Sequence, residues 1–487
     1  MGFILIVLSA LIAWLFGYLR HCYSYWEQEG VPQLRTHFLF GNFFKLKSVH
    51  LSELLQENYD AFKGKCQVAG TYIYTRPIAV VTDLDLVKAI LIKDFNKFVD
   101  RINTPFNLEK NPLAGHLFNL NGEQWRALRT KLSPTFTSGK IKYMFSSITS
   151  VAQQLDETCR REVAASANSG HILELHAFGI ECNSLRNPKA EFRVVARKLF
   201  TDHNRGVRWS LFKVTYMKLL NKMPIRLRHP NEDFSGFFLR LIRDTVEVRE
   251  RENIKRNDFM DLLLDLRRTE EKNGLTVEQL AAQVFVFFVA GFETSSSNMS
   301  YALYELAKNP SIQSKLRAEI QSVLQKHGKL TYEAMMEMEY LDQVVNETLR
   351  KYPALASLTR IPSENYKVPS DDANIVLERG ISVHIPVRAI HYDPEIYPEP
   401  NEFRPERFEA ATVQQRHPMA FLGFGDGPRN CIGLRFGRMQ VKVGLITLLS
   451  SYRFQLPADG SSELTIGSKN FLLIPNEGVR LRVEPIE

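Results

Sequence analysis

Residues Phe421 to Gln440 read FLGFGDGPRNCIGLRFGRMQ, with glycines crowded around Cys431 just ahead of a helix-like run. Gly425, Gly427 and Gly433 permit a tight backbone path that bulkier residues resist. A thiol at the start of a helix gains from the dipole and from unpaired N–H donors. Both lower its pKa and suit it to bind a metal or attack an electrophile. Arg429 adds positive charge two residues away. A dinucleotide-binding reading fails, because after Gly423-x-Gly425 the third glycine position is Pro428 and no βαβ pattern surrounds it.

Upstream, Glu347 and Arg350 lie on one face of a helical segment, LDQVVNETLRKYP, stopped by Pro353. Trp125 and Arg129 share a face in NGEQWRALR, where an indole beside a guanidinium can hold a carboxylate. Taken alone, Glu347 and Arg350 read most simply as a solvent-exposed ion pair, and an ordinary amphipathic helix explains Trp125 and Arg129 equally well. Thr276-Val277-Glu278-Gln279 has capping-box form and opens a helix ending at Asn309-Pro310. That helix is about 50 Å long. From Leu280 to Phe292 its only polar side chain is Gln283, so it is buried rather than laid on a surface. Gly291, Glu293, Thr294, Ser295, Ser296 and Ser297 then bring polar groups and a weak helix former into mid-helix, where they cost stability.

The 487 residues are 44% hydrophobic and 24% charged, which fits a folded protein and excludes a disordered or multi-span chain. A net charge of +8 is mild and argues for a membrane surface rather than nucleic acid. Cys22, Cys66, Cys159, Cys182 and Cys431 are widely spaced without CxxC, so neither a disulfide framework nor a zinc site is indicated. Phe3 to Leu19 is an uncharged run read as a retained membrane anchor. Arg20, Arg35, Lys45 and Lys47 follow it, placing the remainder on the cytosolic side. Three parts are expected: an anchor over 1–19, a connector over 20–45 and one body over 46–487. Gln67 to Thr82 reads as a hairpin turning at Arg76-Pro77; most of the chain beyond it is helical.

In order, these pieces are WxxxR, AGxxT, ExxR, PERF and FxxGxRxCxG. That order closely resembles a cytochrome P450 of the insect microsomal family-6 type over nearly the whole chain. Phe424, Gly427, Arg429, Cys431 and Gly433 match every fixed position of the last motif. The resemblance implies a mainly α fold with small β-sheets (α+β), preceded by one transmembrane helix. It implies a haem b whose iron is bound by Cys431, with Phe424 beside the sulfur and Gly433 following it. Trp125, Arg129, Arg360 and Arg429 look like the propionate clamp, and Glu347, Arg350 and Arg407 like a buried structural triad. Glu293 and Thr294 would relay protons on the oxygen-binding side, while Ala290 and Gly291 leave room there. Asn103 to Phe118, Ala356 to Leu358 and Lys469 to Leu473, Phe471 included, would line the substrate pocket. The implied activity is monooxygenation of small apolar molecules, xenobiotics or endogenous lipids, with O2. No flavin or dinucleotide fingerprint is present, so electrons from NADPH would come through the NADPH–cytochrome P450 reductase of the endoplasmic reticulum membrane, with cytochrome b5 as a further partner. Lys131, Lys140, Lys142, Arg438 and Lys442 are expected to form the docking face.

Two departures stand out. Only Pro32 remains of the proline-rich hinge usual after the anchor, which predicts a looser orientation on the membrane. HILELH (His171 to His176) also runs straight into AFGIECNS (Ala177 to Ser184), where the resembled family carries a helix of the FTTDVIGSC kind. Roughly fifteen residues, about four turns, are missing. The alternatives are therefore an inactive or unstable haem-binding variant, and a cysteine-nucleophile hydrolase with a histidine near Cys431.

Overall fold

The computed structural model describes residues 2–103, 107–109, 111–165, 172–175, 232–256, 258–269, 274–369, 375–457, 464–467, 472–475 and 478–486. Helix α1, Gly2–Tyr23, has 22 residues, about 33 Å, enough to cross a bilayer's hydrocarbon core. It runs four residues past the expected anchor, and Leu19 and Tyr23 are buried at its domain end.

The connector is docked on the body. Trp26 is fully buried and its indole N–H donates to the carbonyl of Thr71 at 3.1 Å. A Cβ on Gly70 would lie 2.3 Å from that ring, so only glycine lets the indole close on the strand. The Gly70 N–H also donates to Pro32 O at 2.7 Å.

That strand, β1 (Val68–Ile73), pairs antiparallel with β2 (Arg76–Val81). The hairpin is as expected, but its turn falls at Tyr74-Thr75, before Arg76-Pro77, with Tyr74 at φ 51°. Helices α2 (Gly122–Leu132) and α3 (Phe145–Ala165) follow, then β3 (Ile172–Leu175). The long helix α4, Val277–Lys308, has 32 residues, with both reciprocal bonds of the Thr276/Gln279 capping box. Helix α5 (Glu339–Lys351) carries the Glu347/Arg350 pair. Strands β4 (Leu358–Arg360) and β5 (Ser382–Ile385) complete a sheet ordered β1-β2-β5-β4. Helix α6 (Leu434–Ser451) leads into β6 (Tyr452–Gln455), which pairs with β7 (Val479–Pro485) in a sheet ordered β3-β7-β6.

The main core forms where α3, α4 and α6 meet, through Leu155 and Cys159, Met299 and Leu303, and Leu445 and Leu449. Each such side chain contributes roughly 1.5–3 kcal/mol by leaving water. Burial on this scale makes α4 a fixed beam. The junction between His176 and Ala177 lies outside the described residues.

Candidate haem-thiolate site

Cys431 sits on a loop held from within. Its N–H donates to Phe424 O at 2.9 Å, Asn430 N–H to Gly427 O at 3.0 Å, and Gly425 N–H to Leu422 O at 2.9 Å. Gly427 has φ +72°, and a Cβ there would sit 1.9 Å from the carbonyl of Leu91. The loop therefore closes only with glycine at that position. Gly433 is the N-cap of α6, so the sulfur lies at a helix start. Cys431 is exposed, whereas Phe424 is partly buried against the main core. One side of the thiol is open while protein crowds the rest, and that crowding pushes the Cys431 thiol up, with the Gly433 N–H, Arg129 and Arg101 pulling it back down. Among the described residues, no histidine is among the groups acting on it, so none of them gives a cysteine-nucleophile reading its base.

Four arginines converge beside the loop. The Arg129 guanidinium donates to Asn430 O (3.1 Å) and Asn430 Oδ1 (2.8 Å). Arg429 lies over the Trp125 ring at 4.3 Å, so the indole's cation is Arg429 rather than Arg129, its neighbour on α2. Arg429 also donates to Leu120 O at 2.6 Å. Arg360 on β4 is 1% exposed and donates to Thr359 O at 2.9 Å. Sequence reasoning missed the fourth, Arg101, which donates to Arg429 O at 2.7 Å.

Desolvation, then mutual repulsion, pushes Arg101 down to about 10 and Arg429 down to about 9. It pushes Arg360 well below its usual value. Asp100 offsets part of this at Arg429. Among the described residues, the buried Nε atoms of Arg360 and Arg429 have no hydrogen-bond partner. Such a cluster is short of negative charge, and a dianion with two carboxylates would relieve it. Haem b fits these residues on that ground.

Behind the loop, Glu347 and Arg350 are fully buried. Arg350 Nε and Nη2 donate to the two carboxylate oxygens at 2.7 and 2.9 Å, and Arg404 N–H donates to Glu347 Oε1 at 2.9 Å. Arg407 completes the expected triad, with Nε 3.4 Å from Glu347 Oε1. His391, also missed, ties this core to the loop. Its Nδ1 faces Arg350 O at 3.1 Å and its Nε2 accepts Leu422 N–H at 2.9 Å. Those partners assign the neutral Nδ1–H tautomer, and burial lowers the imidazole to about 3.

On α4, Thr294 Oγ1 donates to Ala290 O at 2.6 Å. Glu293 is buried, which raises its carboxyl, partly countered by a bond with Ser297. Ala290 is exposed and a Cβ on Gly291 would meet nothing within 4 Å, so open space lies along this stretch. Among the expected pocket residues, Phe118 is exposed beneath the Arg101 guanidinium at 4.6 Å. Ala356 and Leu358 are buried. Phe471 lies outside the described residues.

The expected docking face needs correction. Lys442 is 2% exposed and pairs with Asp342 at 3.1 Å, so it cannot meet a partner. Arg438 is half-buried against Asn346. Lys140 and Lys142 are exposed, the latter paired with Glu333.

A cysteine at a helix start beside four converging arginines, whose charge the described residues only partly offset, is the setting a haem with a cysteine ligand needs. The family model "Cytochrome P450" matches residues 31–482, and the chain belongs to that family. It is 44% identical to "Probable cytochrome P450 6a14" of Drosophila melanogaster over 492 positions, spanning 95% of this chain and 96% of that protein. It is 42% identical to "Cytochrome P450 6A1" of Musca domestica over 505 positions, spanning 100% of this chain and 98% of that protein. The latter alignment is 18 positions longer than the chain's 487 residues. The protein is thus a haem monooxygenase of the cytochrome P450 family, with an iron ligated by cysteine thiolate, and its amino-terminal apolar helix anchors it to a membrane.

Proposed function

We propose that the chain oxidises small apolar molecules, xenobiotics or endogenous lipids, from the cytosolic face of the endoplasmic reticulum, with electrons from NADPH–cytochrome P450 reductase. The observation that carries this reading is the arginine cluster around Cys431, in which Arg360 and Arg429 are buried and, among the described residues, Asp100 offsets only part of the charge. Cys431 supplies the thiolate, and Trp125, Arg101, Arg129, Arg360 and Arg429 hold the propionates. Haem b, when bound, supplies oxygen activation, helped by electron density from the thiolate. Glu293 holds a proton at its carboxyl more readily than an exposed acid, which suits it to deliver protons toward Thr294 Oγ1. Phe118, Ala290, Gly291, Ala356 and Leu358 face or border the substrate, and their apolar character selects apolar ligands.

The purified full-length chain, reconstituted with the reductase in lipid, is expected to consume NADPH and yield oxygenated products from lipophilic probes. NADPH consumption that is no faster with the probes, with no oxygenated product, contradicts the reading.

We further propose that a helix usual in the family is absent between His176 and Ala177. The 505-position alignment is longer than this chain, and it is the direct run of HILELH into AFGIECNS that puts the missing residues at this junction. A lost helix against the core removes apolar burial worth several kcal/mol, on the order of a domain's net stability. Restoring a helix of the FTTDVIGSC kind at this junction is expected to raise the urea midpoint and the haem retained on purification. An unchanged or lower midpoint contradicts it.

A further inference from the structure

Polar side chains buried in the middle of a helix are destabilising unless hydrogen-bonded. Two on α4 form their bonds with segments far away in the chain. Gln283, fully buried, accepts Leu117 N–H at Oε1 (3.0 Å) and donates from Nε2 to Gly115 O (3.1 Å). Tyr301, 1% exposed, donates its hydroxyl to Leu473 O at 3.0 Å. Its ring stacks on Tyr352 at 4.1 Å. Leu473 N–H in turn donates to Ala354 O at 3.2 Å, and Leu472 bridges to Leu355.

Their spacing on the helix is informative. At about 100° per residue, positions 283, 290, 294 and 301 fall within roughly 40° of one another. Gln283 and Tyr301 therefore share the face that carries Ala290 and Thr294, one at either end. Each fastens a different segment to that face. The first is the loop through Gly115 and Leu117 that leads to Phe118. The second is the segment at Leu473, beside 354–356.

We infer that Gln283 and Tyr301 are positioning residues that fix two opposite walls of the substrate pocket on α4, and so set which ligands fit and how they are presented. This rests on the haem-monooxygenase site proposed above. Neither side chain needs to touch substrate. Losing one bond frees a wall that ligand binding must then reorder, a cost carried by ligands large enough to reach the wall and not by small ones.

The test uses full-length haem-loaded Gln283→Leu and Tyr301→Phe, titrated optically with imidazole and with 4-phenylimidazole. The small ligand reaches the iron alone, and the larger one also meets the walls. Imidazole affinity and the carbon monoxide band are expected to stay within about twofold of the parent, while 4-phenylimidazole weakens about fivefold in each variant. Unchanged affinity for both ligands overturns the inference, and so does equal weakening of both. Tyr301→Phe keeps the stack on Tyr352 and loses one hydroxyl, so it carries the test if Gln283→Leu does not fold. A parent chain without thiolate-haem absorption overturns the site reading and this inference with it.

Discussion

Replacing Cys431 with serine is expected to abolish monooxygenase turnover and the red-shifted absorption of the reduced carbon monoxide complex, while leaving the protein folded. The loop around Cys431 is built from backbone bonds and from glycines at 425 and 427, none of which involves the sulfur. Serine is close in size and is tolerated there. A hydroxyl ionises far less readily than a thiol, so it cannot serve as the electron-rich ligand on which oxygen cleavage depends. Far-UV circular dichroism should match the parent while the band disappears. Turnover that survives the substitution would remove Cys431 from the chemistry.

The largest effect on stability is expected at Glu347. Glu347→Gln keeps the shape and removes the charge that Arg350 and Arg407 face. Arg350 then keeps the carbonyls of His391, Pro400 and Glu402 and one amide oxygen of the new glutamine, but no carboxylate to balance its buried charge. Breaking a buried pair in this way costs about 3–5 kcal/mol, a large share of a net stability of roughly 5–15 kcal/mol. His391 joins this core to Leu422, so the Cys431 loop should loosen as well and haem should be lost on purification. The solvent-exposed pair Lys142–Glu333 is the control, since water screens it and its removal should leave the urea midpoint close to the parent's. Comparable urea midpoints for Glu347→Gln and Lys142→Ala would contradict the structural role.

The parts legible in the sequence were those specified locally. Thr276 and Gln279 mark the start of α4 because a capping box is complete within four residues. The Cys431 loop is legible for the same reason, as its glycines and its helix start are adjacent in the chain. Arg101 was not legible, because it has meaning only beside Arg429, 328 positions away. His391 likewise acts through Arg350 and Leu422, 41 and 31 positions away. Lys442 was misread as surface charge. A lysine on a helix is usually solvated, and only the fold brings Asp342 against it. The hairpin turn was displaced because Tyr74 adopts a positive φ, which a tyrosine does not advertise. Gln283 was noticed as the odd polar residue in an apolar run, but its partners at 115 and 117 are set by the tertiary fold.

The most direct measurement is the carbon monoxide difference spectrum of the reduced, purified full-length chain. The red-shifted Soret band of thiolate-ligated haem is the predicted result. Haem absorption without that shift, or none at all, would contradict the assignment of this site.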